Sequence, residues 1–85
     1  MGEVKVGRVT GFFARVGVAA IEVQAGDIRI GETIRIRGKH TDFSQIVESM
    51  EIERQPIQTA MPGQVIGVKV RERVREHDLV YKVTP

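Results

Sequence analysis

Apolar residues along this chain recur mostly with a period of two, in short runs interrupted by glycine, proline and polar turn residues. That pattern predicts closely spaced β-strands. Over residues 33–37, Ile34 and Ile36 point inward while Arg35 and Arg37 point outward. Residues 64–70 put Ile66, Val68 and Val70 in one phase, and the closing run puts Leu79, Tyr81 and Val83 opposite Lys82. Val4 and Val6 share a phase that Val9 does not, so a shift is expected at Gly7 and Arg8, where a bulge or barrel corner would bend the strand. A second slip is expected at Ala19 and Ala20, between the Val16/Val18 phase and the Ile21/Val23 phase. Gly26 with Asp27, and Pro62 with Gly63, supply turns.

One segment, residues 37–53, reads both ways. Phe43, Ile46, Val47 and Met50 form a helical stripe behind an Asp42/Gln45 capping pair. With a period of two, Ile46, Met50 and Ile52 face one way and Glu51 and Glu53 the other. The β-branched content, and the lack of lysine partners four residues from the glutamates, favour a strand.

Composition narrows the class. Eighty-five residues make one domain, 1–85, with a small core. With no cysteine, neither a disulfide nor a thiolate metal site is available. No apolar run is long enough to span a membrane, so a soluble, cytoplasmic, monomeric domain is expected. The net charge is only +2, but the charge is segregated. Residues 29–39 and 69–75 each carry four bases and one acid, whereas residues 42–53 carry four acids and no base. Nine of the thirteen bases are arginine, the residue shaped for phosphate forks.

Catalytic signatures are missing from the sequence. It contains no Gly-x-x-x-x-Gly-Lys-Ser/Thr phosphate cradle, no Gly-x-Ser-x-Gly elbow and no cysteine nucleophile. His40 and His77 fall in separate polar loops, where exposed imidazoles without a role are the ordinary case. Glu48, Glu51 and Glu53 read as a solvated acidic strand, not as an acid–base pair. Phe12, Phe13 and Phe43 are expected to pack on the core or cap its ends, and they form no sheet-face pattern for base stacking. No enzymatic activity, cofactor or bound nucleotide is expected of this chain alone.

Taken in order, Gly7 to Val9, Ile28 to Ile34, Val47 to Met50, Ala60 to Gly63, Ile66 with Gly67, and Asp78 to Val80 resemble the second domain of elongation factor Tu-type translational GTPases. Thr41-Asp42-Phe43, Ser49-Met50 and Ile52-Glu53 are more similar to stand-alone translation-elongation-factor-like proteins and to the C-terminal barrel of collagenase-like peptidases. This resemblance implies a single closed six-stranded Greek-key β-barrel. It also implies a translation-linked module that presents a basic surface to tRNA or ribosomal RNA. From the charge pattern, the residues expected to neutralise phosphates are Arg35, Arg37, Lys39, Lys69, Arg71, Arg73 and Arg75, with His40 as a neighbour. The alternative is an accessory barrel that docks on a separately encoded protein such as a collagenase-like peptidase. Its contacts would be Phe12, Phe13, Glu48, Glu51 and Glu53.

Overall fold

Alternating Val and Ile residues do form strands. The computed structural model describes residues 2–85 and holds ten of them, with no helix among the described residues. They are β1 (Gly2–Phe13), β2 (Val18–Val23), β3 (Ile28–Arg29), β4 (Thr33–Arg37), β5 (Asp42–Ile46), β6 (Met50–Ile52), β7 (Gln55–Pro56), β8 (Thr59–Ala60), β9 (Val65–Lys69) and β10 (Leu79–Thr84). Eight strands pair antiparallel in the order β5-β4-β10-β1-β2-β9-β6-β7, and β3 pairs with β8 separately. The core is aliphatic, with Val9, Ile21, Ile28, Ile34, Ile36, Val68 and Val80 fully buried.

The strand order forces the sheet to curl. β5 and β6 lie six inter-strand spacings apart in the ladder, roughly 29 Å if the sheet were flat. Yet only Val47, Glu48 and Ser49 join them, and four Cα steps reach at most about 15 Å. The sheet therefore wraps round its core, but its ladder does not close. The all-β class stands, while the expected closed six-stranded Greek-key barrel is corrected to a curled, open sheet with ends at β5 and β7. The physical reason lies in the ambiguous segment. It is strand, but it leaves β4 after Ile46, bends through 47–49 and then pairs with β9 from Met50. The Gln45 side chain spans the opening, its Nε2 donating to the Lys69 carbonyl (2.8 Å) and its Oε1 accepting from the Arg71 N–H (2.9 Å).

Several phases differ from expectation. Because of the bend, Ile46 is exposed while Met50 is buried, so the two do not share a face. On β1 the register slips at Val6 and again at Thr10. The second extra residue is therefore on β1, and β2 runs without a slip, with Ala19, Ile21 and Val23 all inward. Val16 is exposed in the β1–β2 turn, and Val4 is exposed as well. In β10 it is Val80, opposite Gly7 and Ile36, that enters the core, where the alternation had favoured Leu79, Tyr81 and Val83. Gly7 is required by close packing: a Cβ there would collide with the Glu22 carbonyl oxygen on β2.

Candidate functional site

Registers across four strands set up the main surface feature. On the outer face of the sheet, Gly11 lies opposite Ala20, Ala20 opposite Gly67, and Gly67 opposite Glu51. Gly11, Ala20 and Gly67 bring almost no side-chain bulk to this row, so a furrow forms beside the Glu51 side chain. Phe13, paired with Val18, walls one side, and Val65, paired with Glu22, walls the other. The resulting groove has a volume of about 970 Å³. Val16, Arg15 and Arg54 complete its lining with Glu51 and Glu53. Its apolar walls are open to solvent, with Phe13 and Val16 each 59% exposed and Val65 52%. Such residues on adjoining strands form an apolar patch of the kind that marks an interaction site.

The rim is held in an unusual backbone. Ile52 pairs with Gln55, so Glu53 and Arg54 are the two central residues of a hairpin turn. Both have positive φ, 50° and 67°. This turn demands left-handed backbone at both positions and is normally filled by Asn-Gly. Glu-Arg there costs about 1–3 kcal/mol per residue, the kind of strain that concentrates at functional sites. The turn directs a carboxylate and a guanidinium to the groove.

Of the contact residues expected from sequence, the groove unites Phe13, Glu51 and Glu53. Phe12, opposite Ala19, turns inward and packs against the core, so it is not part of this surface. Glu48 lines a separate slot with Lys69 and Arg71. Arg15, Val16, Arg54 and Val65 were missed by sequence reasoning. Their signal was available in the shared outward phase of Phe13, Val18 and Val65, and in two polar residues placed between paired strands.

The basic residues form a different surface. Arg35 donates to both Asp42 oxygens (2.8 and 2.9 Å) and to Glu3 (2.7 Å). These hydrogen bonds, Asp42 foremost, push the Arg35 pKa further up, and the same pair holds the Asp42 carboxyl below its usual value. Arg37 lies 3.9 Å from Glu3 and over the Tyr81 ring. Arg71 lies 3.6 Å from Glu72 and over Phe43. On β10, Lys82 bonds Asp27 (2.6 Å), which with Arg29 holds the Asp27 carboxyl low. Lys39, His40, Lys69, Arg73 and Arg75 are exposed, and none has a carboxylate within 4.0 Å among the described residues. The arginines of β4 are thus largely neutralised by neighbours, which a sequence count of bases cannot reveal. His40 and His77 sit in the loops before β5 and β10, and no three His, Cys, Asp or Glu residues gather for a metal ion among the described residues. No helix long and apolar enough to cross a membrane occurs among them.

The chain's similarity to known proteins bears on the two expected functions. No protein-family model matches the chain. An uncharacterized protease of Methanocaldococcus jannaschii is 41% identical over 80 residues, covering 93% of this chain and 19% of that protein. A collagenase of Porphyromonas gingivalis is 37% identical over 81 residues, covering 94% of this chain and 20% of that protein. The chain thus spans about a fifth of the length of the curated relatives it matches. The C-terminal domain of a protein assigned as a U32 peptidase in Geobacillus thermoleovorans superposes with a TM-score of 0.88 at 21% identity, over 95% of this chain and 93% of that one. A selenomethionine form of the same domain gives 0.83 at 22% identity. These findings overturn the translation-linked reading, with its elongation-factor, ribosome and tRNA or ribosomal RNA assignments, because the relatives are a protease and collagenases. The chain is homologous to one segment of collagenase-like peptidases and has the fold of a U32 peptidase C-terminal domain.

Proposed function

We infer that this chain is a non-catalytic accessory domain that docks on the catalytic part of a collagenase-like peptidase through the β1–β2–β9–β6 groove. The observation that carries the reading is the extent of the match: nearly all of this chain corresponds to only a fifth of a protease. A segment of that kind lies beside a much larger remainder, and an apolar groove with a charged rim is suited to pack on one. Phe13 and Val65 supply the apolar contact, and the short side chain of Ala20 leaves room for a partner between them. Glu53 and Arg54 orient that partner through charge at the rim.

The test is calorimetric titration of the chain into the Porphyromonas gingivalis collagenase trimmed of its own matching segment, after circular dichroism shows the trimmed enzyme to be folded. Binding tighter than about 10 μM, lost in Phe13→Asp, supports docking. Absence of binding up to about 100 μM rejects it.

A further inference from the structure

The two ends of the sheet are finished differently. β7 is two residues long and includes Pro56, which has no N–H to offer a further strand. β5 has five residues and contains neither proline nor lysine, the usual devices for blunting an edge. Its outer side is open. Gly38 and Thr41 exchange hydrogen bonds, and the Val47 N–H donates to the Glu32 carbonyl. Ladder bonds alternate, so Phe43, Gln45 and Val47 direct their backbone groups toward β4. Ser44 and Ile46 direct theirs away from it, and Ile46 is 56% exposed.

Across a slot of about 470 Å³ lies the exit of β9. There the Val70 N–H donates to Gly17 on one side, so Lys69 and Arg71 turn their backbone groups to the other side, facing the slot. What those groups hold is informative. The Lys69 carbonyl takes a donor and the Arg71 N–H takes an acceptor, both from the single carboxamide of Gln45. A planar amide is therefore already accommodated between the two edges. A carboxylate could not replace it, because the Lys69 carbonyl needs a donor.

We propose that this slot is a strand-addition site for an extended polypeptide segment, with the Gln45 carboxamide as its built-in competitor. The incoming main chain pairs with Ser44 and Ile46 on β5. When Gln45 swings out, the same segment takes the Lys69 carbonyl and the Arg71 N–H, supplying the rung the ladder lacks. The side chains set the preference. Lys69 borders the slot with no carboxylate within 4.0 Å among the described residues, and Arg71 stands beside it. Glu48 is the one acid in the lining. Outward acidic residues near Lys69 are favoured over basic ones. This site is distinct from the groove, and it stands or falls without the docking reading.

The test uses the 85-residue chain labelled with nitrogen-15 and an acetylated, amidated heptapeptide of alternating valine and aspartate. The expected result is a saturable shift of the Ser44, Ile46 and Arg71 amides and of the Gln45 side-chain amide. Gln45→Ala, which removes the competitor, tightens binding about threefold or more, because a closed slot taxes apparent affinity. A main-chain N-methylated heptapeptide fails to bind, and a lysine-for-aspartate version binds more weakly. No saturable shift at about 1 mM in the unmodified chain or in Gln45→Ala overturns the proposal. Equal binding of the N-methylated peptide overturns it too, since recognition would not be through the main chain. So does concentration-dependent shifting of β5 without peptide, which would assign the edge to a second copy. If Gln45→Ala loses its folded spectrum, Gln45→Glu keeps the length and removes the donor, and the unmodified chain remains decisive.

Discussion

The β4–β10 side and the β2–β9 side belong to one curled sheet, yet they treat their outward residues in opposite ways. On β4, outward Arg35 and Arg37 meet Asp42 on β5, Tyr81 on β10 and Glu3 on β1, so their charge is largely consumed within the molecule. On β2 and β9, Val18, Ala20, Val65 and Gly67 line a furrow that stays open. A side chain that is conspicuous in a sequence can be satisfied at home, whereas a row of small residues gains its meaning from what it leaves uncovered.

The sharpest way to break this contrast is to charge the open side. Phe13→Asp should cost docking on the order of 100-fold, as loss of a central aromatic anchor does. Phe13 is 59% exposed, so the unfolding midpoint in urea should move by no more than about 0.5 kcal/mol equivalent. A smaller effect of mixed sign is expected at the hairpin turn. Replacing Glu53-Arg54 by Asn-Gly should raise stability in urea by about 1–2 kcal/mol by relieving two left-handed side chains. The same change should weaken docking about tenfold by removing the rim charges.

On the satisfied side, the effect should be modest and dependent on pH. Asp42 and Asp27 have lowered carboxyl pKa values in the folded chain. A lowered folded value stabilises above the unfolded carboxyl pKa, and that contribution is lost as pH falls through the folded value. Urea midpoints should therefore decline below about pH 4. Arg35→Met should make that decline shallower, and about 0.5 M salt should shrink the difference between the two proteins at neutral pH. Smallest of all, Lys39→Ser with Arg73→Ser and Arg75→Ser should leave docking unchanged in the same titration, since none of the three lines the groove.

Much of the fold was legible because alternation is a local property. Ile34 and Ile36, and Ile66 with Val68 and Val70, carried their faces in the sequence and kept them. Errors arose where the backbone departs from strict alternation. Strand β1 has two extra residues, at Val6 and Thr10, and no period marks which partner in a pair will bulge. Ile46 shares β5's outward phase with Asp42 and Ser44, and the 47–49 bend then shifts the phase so that Met50 turns inward while the ladder stays open. The site was half legible. Phe13, Glu51 and Glu53 stood out by type, but the furrow beneath them is a product of register among four strands distant in sequence. Neutralisation of Arg35 was equally hidden, because Glu3 reaches it across 32 positions.

Strand β10 lies between β4 and β1, pairing Val80 with Ile36 and Thr84 with Gly2. Of the ten strands, the one latest in sequence order is thus an inner one. β4 ends at residue 37 and must wait 42 residues, from 37 to 79, before this neighbour begins to appear. At about 5–20 residues per second, that wait lasts roughly 2–8 s. During that interval Ile34, Ile36 and Val9 have no complete core to enter, and both flanking strands present bare edges. Assembly must then occur in one late, largely non-local step, which adds a hazard of aggregation in the nascent chain to the open β5 edge that the finished domain retains.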